Sequence, residues 1–127
     1  MSRSSLRMVI LVTGLITAVV HLVVLNIGFI EENGRPDVLF SLNGLGYLAL
    51  VVAFWMRPRF LADRWARFHY GYIAFTGITI VAWGAGGARS LTGFATKLDE
   101  LILIYALFAH LRAGQAGSGN AGRAPGQ

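Results

Sequence analysis

The chain has 127 residues, enough for one small domain, a formal net charge of +5, and no cysteine, which excludes disulfides, thiolate metal sites and cysteine nucleophiles. Hydrophobic residues make up 55% of the chain and charged residues 13%, against roughly 45–50% and about 25% in soluble globular proteins. This composition argues against a water-soluble fold and predicts a membrane protein.

Four apolar stretches predict four transmembrane helices, because a span needs about 20 predominantly apolar residues. The predicted spans are residues 6–30, 38–56, 68–85 and 94–113. Helix is the prediction for each, since an isolated segment in lipid must satisfy its own backbone hydrogen bonds. The first stretch exceeds the signal-peptide core of roughly 7–15 residues, so we expect it to be retained as a membrane anchor.

The fourth stretch differs from the others in carrying charge. Its uninterrupted apolar run is only Leu101–Ala109, and Lys97, Asp99 and Glu100 lie just before it. Charged side chains are costly in lipid unless they meet partners or water. We therefore expect the charges at the start of this span to turn toward the other helices.

The basic residues predict the orientation of the bundle. With a cytoplasmic N-terminus, the inner segments hold Arg3, Arg7, Arg57, Arg59, Arg64, Arg67, Arg112 and Arg123, and the outer side holds Arg35, Arg89 and Lys97. Eight basic residues on the inner side against three on the outer side favour both termini in the cytoplasm. The second loop alternates arginines with aromatic residues, which is typical of a segment on an anionic membrane surface and favours the bilayer over nucleic acid as its partner.

The end of the chain differs in composition from the rest. Residues 113–127 are almost entirely Gly, Ala, Ser, Gln, Asn and Pro, with one arginine. Such a segment buries too little apolar surface to order itself. The predicted organisation is a four-helix transmembrane domain over residues 1–112 and a disordered tail over 113–127.

Polar residues within the predicted spans are the candidate functional residues. At about 1.5 Å per residue, His21 and Asn43 fall in the outer halves of the first two spans, and Lys97 and Glu100 near the outer end of the fourth. Lys97 and Glu100 share a helix face because they are three residues apart, whereas Asp99 points about a third of a turn away. The predicted site is an outward-facing cluster of His21, Asn43, Lys97 and Glu100. It either holds the helices together or binds a proton or small ligand.

No catalytic motif or metal-site spacing occurs, so neither an enzyme nor a cofactor is predicted. His69 and His110 share a depth near the inner ends of the third and fourth spans, where snorkelling or helix-dipole roles are expected. Haem ligation by this pair is the least favoured alternative, since both lie near the interface. The three histidines are too scattered for one metal site.

Four segments resemble a family of small, uncharacterised four-helix membrane proteins known mainly from halophilic archaea. The matching segments are Thr13–Leu22, Leu42–Leu48, Ile73–Trp83 and Lys97–Ile104. The distinctive residues are His21, Gly44, Gly46, Trp83 and Lys97. Glu100 stands where the family tends to have an amide, and Asp99 where it has an apolar residue. The resemblance implies a four-helix membrane fold and no assigned activity.

Three functions are therefore compared. The first is a non-catalytic module of the cell membrane, either an accessory subunit or a homo-oligomer. Small residues that would allow close helix approach are Gly14 and Ala18, Ala49 and Ala53, and Ala74 and Gly77. The second is a small proton-coupled or small-solute transporter that uses Glu100, Lys97 and His21. The third is a haem-binding electron carrier.

Overall fold

The computed structural model describes residues 1–87 and 89–122, and these residues form four long helices. The helices are α1 (Arg3–Asn33), α2 (Val38–Met56), α3 (Trp65–Gly86) and α4 (Leu91–Ala121). A 3-10 helix, Arg59–Arg64, joins α2 to α3. The prediction of an all-α chain with four helices is confirmed.

Local sequence signals account for where the helices begin and end. Ser2, Asp37 and Ser90 are N-caps whose side chains accept hydrogen bonds from backbone N–H groups of the first turns of α1, α2 and α4. Gly34, at φ 70°, ends α1 in the left-handed conformation that glycine adopts without strain. Arg57, at φ 47°, ends α2 directly before a proline, which cannot continue a helix.

Helix α1 packs against both α2 and α4, while α3 packs on α4. Glycines allow the closest approaches. A Cβ at Gly14 would lie 2.5 Å from Val51 Cγ2 and closer still to the Tyr72 hydroxyl, and one at Gly44 would lie 2.8 Å from the backbone nitrogen of Leu22. Gly14 and Ala18 thus lie in close contacts between helices of this chain, whereas nothing lies within 4 Å of the Cβ position at Gly77.

A π-helical turn interrupts α1 at Val20–Val24, and such turns are frequent at functional sites. Its first side chain toward the core is His21. One turn later, Asn26 donates to Ser41 Oγ at 3.1 Å and accepts from the Asp37 backbone N–H at 2.9 Å. Asn26 therefore fixes the turn between α1 and α2 and holds the π-helical segment in register with α2.

The outer surface of the bundle is strongly apolar. Large hydrophobic side chains are exposed along every helix, including Ile27, Leu45, Ile78 and Tyr105. Among the described residues, two helices, α1 and α2, are long and apolar enough to cross a membrane. Length and composition alone are weak support for a membrane location, because the core helix of a soluble protein can pass the same test.

The last helix is longer than the sequence analysis predicts. Residues 113–121 continue α4 without a break, in contrast to the predicted disorder of the tail. The reason is that extending an existing helix costs little per residue once its first turns are held by packing. The remainder of the predicted tail, residues 123–127, lies outside the described residues.

Candidate functional site

The candidate site is built around Glu100, a fully buried carboxylate in the outer part of α4. Lys97, on the same face of α4 and 8% exposed, donates from Nζ to Glu100 Oε2 at 2.5 Å. A pair three residues apart on one helix is geometrically favoured. The two charges that the sequence expects to turn inward are therefore both inside the bundle, where each has the other as its partner.

Two further helices contribute side chains to the second carboxylate oxygen of Glu100. The Tyr47 hydroxyl, from α2, donates to Oε1 at 3.3 Å. His21 Nε2, from the π-helical turn of α1, lies 3.9 Å from the same oxygen. The His21 and Tyr47 rings are tilted against each other with centroids 5.6 Å apart. We call His21, Tyr47, Lys97 and Glu100 the outer cluster.

The hydrogen bonding of His21 determines what its ring offers to Glu100. His21 Nδ1 lies 2.9 Å from the Thr17 carbonyl oxygen, which can only accept, so Nδ1 carries the hydrogen. In the neutral ring, Nε2 is then an acceptor that faces a carboxylate oxygen, also an acceptor. Two acceptors attract each other only when a proton is added to one of them. The contact between His21 and Glu100 is thus a place where the molecule can take up a proton.

Asn43 does not join the other three predicted site residues. Its Oδ1 accepts from Thr79 Oγ1 of α3 at 3.3 Å, and among the described residues Asn43 forms no hydrogen bond with His21, Lys97 or Glu100. The predicted inclusion of Asn43 rests on depth along the helix alone. Tyr47, one helical turn further along the same face of α2, reaches Glu100 instead.

Asp99 is a second acid of the site, which the sequence analysis placed outside the cluster. Its Oδ2 accepts from Thr17 Oγ1 at 2.6 Å, a direct link between α4 and α1. Asp99 also lines a groove of about 440 Å³ between these helices, whose other walls are mostly apolar and include Ile16 and Val20. Among the described residues no cationic side chain pairs with Asp99. The lysine is already paired with Glu100, so Asp99 has no cationic partner among the described residues.

The other two histidines form a pair at the opposite end of the bundle. His69 Nε2 and His110 Nδ1 are 3.0 Å apart, the rings are stacked within 7° of parallel, and both residues are buried. Phe54 and Trp65 pack edge-on against them. This burial differs from the expected snorkelling. The shared depth of the two residues was visible in the sequence, but their facing rotation was not.

The histidine arrangement bears on cofactors and metals. Axial haem ligands face each other with the iron between them, whereas His69 and His110 bond directly to one another, so this arrangement does not support ligation by the pair. Over the described part of the chain, no group of three His, Asp or Glu side chains could hold a metal ion.

Comparison with known proteins gives a family and no activity. No curated protein and no solved structure matches the chain. A sequence family described as "Family of unknown function (DUF7475)" matches residues 1–110, which includes the outer cluster and both residues of the histidine pair. The chain therefore belongs to DUF7475, a family whose function is unknown.

Proposed function

We propose that this protein is a non-enzymatic, multi-pass protein of the cell membrane whose outer cluster takes up a proton in exchange for a small cationic solute. In this proposal all four helices cross the bilayer, and both termini are cytoplasmic. The observation that carries the proposal is the 3.9 Å approach of two hydrogen-bond acceptors, His21 Nε2 and Glu100 Oε1, in the buried interior.

The four-span arrangement is supported by the surface of the bundle. Large apolar side chains are exposed on the other two helices as well as on the two that qualify by hydropathy: Ile78 and Val81 on α3, and Leu91, Leu98, Leu101 and Ile102 on α4. Contiguous apolar surface of this kind is rare on soluble monomers. Reporter fusions after Gln127 and within Glu31–Asp37 test the topology. Fusions reporting the same side, or an external C-terminus, would contradict it.

A purely structural role accounts poorly for the outer cluster. The short bond, from Lys97 to Glu100, joins residues of the same helix and therefore does not connect helices. The contacts that do connect helices, from Tyr47 and His21, are long compared with the roughly 2.5–3.0 Å of a good hydrogen bond to oxygen. Burying an ion pair is expensive, and apolar replacements often stabilise a protein. The charges are thus better explained by a function than by stability.

The class of solute follows from charge and shape. One positive and two negative side chains, Lys97, Asp99 and Glu100, leave a net charge of −1 in this region when His21 is neutral. The Asp99 carboxylate lines the mostly apolar groove. A carboxylate in apolar surroundings needs either a proton or a cation. A small cation with apolar substituents satisfies both the charge and the walls of the groove.

The test uses purified protein in liposomes that contain a pH indicator. Tetrabutylammonium, a permanently charged apolar cation, is added outside with an outward proton gradient. We expect the cation to enter the vesicles and protons to leave them. Asp99→Asn should abolish cation uptake, and Glu100→Gln should abolish proton movement. Glu32→Gln, at the exposed end of α1, is the matched control and should change neither. Unchanged fluxes in both site variants would refute the proposal.

A second candidate, a homo-oligomeric membrane module, is favoured by one observation. The small residues Ala74 and Gly77 of α3 do not pack closely against another helix of this chain. Ala74 is exposed, and nothing lies within 4 Å of the Cβ position at Gly77. Small residues permit close contact between helices in membranes. Mass measurement in mild detergent tests this role. An oligomer that becomes monomeric with Ala74→Leu and shows no cation uptake would favour the module over the carrier.

A further inference from the structure

A second polar site lies at the opposite end of the bundle from the outer cluster and has no part in the proposed exchange. It is a cleft of about 220 Å³ between the start of α1, the start of α3 and the extended end of α4. Its lining includes Arg3, Trp65, His110, Gln115 and Ser118. We call it the inner cleft. Three of its lining residues, Gly114, Gln115 and Ser118, come from the segment that the sequence predicts to be disordered.

The histidine pair presents a defined hydrogen-bonding group to the inner cleft. His69 Nδ1 lies 2.8 Å from the Trp65 carbonyl oxygen, so it carries the hydrogen and His69 Nε2 is an acceptor. His110 Nδ1, 3.0 Å away, must therefore donate to His69 Nε2. This leaves His110 Nε2 as an acceptor in the neutral ring. It makes no hydrogen bond to any described residue, although the residue is only 1% exposed.

The charged groups around the cleft are positive. The Arg3 guanidinium lines it, lying 3.0 Å from the Cβ position at Gly114. Arg57 lies beside the cleft, because its guanidinium carbon is 5.3 Å from the ring centroid of Trp65, a lining residue. Partial burial, then the charges of Arg7 and Arg3, lower the pKa of Arg57 below its usual value. Within the described ranges none of the three arginines forms an ion pair with a carboxylate. The charge around the cleft therefore favours an anionic ligand.

A single chemical group meets both requirements. The cleft combines a cation, Arg3, with a hydrogen-bond acceptor, His110 Nε2, and two neutral polar side chains, Gln115 and Ser118. A phosphate monoester carrying one proton has anionic oxygens for the arginine and a P–OH donor for the imidazole. A phosphate diester has the anionic oxygens but no hydroxyl to donate.

We propose that the inner cleft binds a phosphate monoester, with its anionic oxygens on Arg3 and its hydroxyl donating to His110 Nε2. The group can belong to a lipid headgroup at the inner leaflet or to a soluble phosphate. Arginine favours both sources equally, so the experiment has to separate them.

The test is a titration of purified, ¹⁵N-histidine-labelled protein in detergent, read out by nuclear magnetic resonance. The chain has three histidines, so His110→Gln assigns the resonance of interest. The titrants are dihexanoyl phosphatidic acid, the diester dihexanoyl phosphatidylmethanol, which has no headgroup hydroxyl, and inorganic phosphate. We expect the monoester lipid to shift the His110 Nε2 resonance and the diester to leave it unchanged.

The two sources and the alternatives give different results. A shift with inorganic phosphate alone assigns the site to a soluble phosphate, and a shift only with phosphatidic acid assigns it to a lipid headgroup. Equal shifts with monoester and diester, or no shift with any titrant, would overturn the proposal.

A matched pair of arginines separates the site from the general attraction of a basic surface. Arg3→Gln should weaken monoester binding about tenfold, the loss of one charge-assisted hydrogen bond. Arg112→Gln removes the same charge from the same end of the bundle, but Arg112 stacks over Phe108 and does not line the cleft, so less than a twofold change is expected. If Arg3→Gln does not fold, Ser118→Ala provides the second variant, with a smaller loss expected. Equal effects of the cleft and control variants would overturn the proposal.

Discussion

The two buried polar regions of the bundle differ in how their side chains find hydrogen-bonding partners. At the inner end, two neutral imidazoles from α3 and α4 bond directly at 3.0 Å, and aromatic rings surround them. In the outer cluster, two formal charges pair within one helix, and the neighbouring helices approach only to 3.3 and 3.9 Å. The inner pair thus joins helices with little charge, whereas the outer pair carries charge and joins helices weakly.

This difference indicates which polar group serves stability and which serves function. A neutral pair that spans two helices satisfies both partners at a small desolvation cost. A charged pair within one helix bears the full desolvation cost and gains little for the fold. Substitutions at each end should therefore behave differently, and the following predictions are ordered from the largest expected effect to the smallest.

The largest effect is expected when one member of the outer ion pair is removed. Lys97→Met leaves a buried carboxylate without its cation and should lower the free energy of unfolding by about 3–5 kcal/mol. Lys97→Met combined with Glu100→Gln leaves two neutral groups and should recover most of that loss. Thermal unfolding in detergent measures both. A double variant as unstable as the single one would show that the pair itself stabilises the fold.

At the inner end, a single substitution should cost less. His110→Phe keeps an aromatic ring but leaves His69 Nε2 without a donor, which should cost about 1–3 kcal/mol. Replacing both histidines with Phe removes the unsatisfied acceptor and should restore part of the loss. Unfolding free energies of the single and double variants give the coupling between the rings. A coupling near zero would mean that the hydrogen bond between α3 and α4 adds nothing to stability.

Between the two polar regions, the helices meet at Gly14. Gly14→Ala inserts a methyl group against Val51 and Tyr72 and should cost about 1–3 kcal/mol through overpacking, less the roughly 1 kcal/mol that alanine regains in helix propensity. Gly77→Ala is the matched control, because nothing lies within 4 Å of its Cβ position. That variant should be neutral or stabilising. Equal unfolding temperatures for the two variants would contradict the close packing of α1.

The smallest effect on stability is expected at the end of α4. Truncation after Arg112 removes surface residues and should change the free energy of unfolding by no more than about 0.5 kcal/mol. It also removes Gly114, Gln115 and Ser118 from the inner cleft but keeps Arg3 and His110, so monoester binding should weaken while the fold remains. The unfolding temperature and the His110 resonance are measured on the same sample. A large drop in stability would mean that the end of α4 supports the bundle.

The sequence by itself determined the number of helices and, for α2, both boundaries. Residues 38–56 are predicted and observed because Asp37 caps the first turn and a proline follows Arg57 at the end. It also determined that Lys97 and Glu100 share a face, since three residues complete nearly one helical turn. These are local properties that a single segment carries without its neighbours.

Only the tertiary structure decided how each helix is rotated about its axis. The sequence placed His69 and His110 at one depth, but only the fold turned them toward each other. Tyr47, one helical turn along α2 from Asn43, is the residue of that face that reaches Glu100. A helix that is apolar on all sides has no polar face to indicate which side packs inward. The rotation follows from close contacts such as that of Gly14 with Tyr72, which involve residues far apart in the chain.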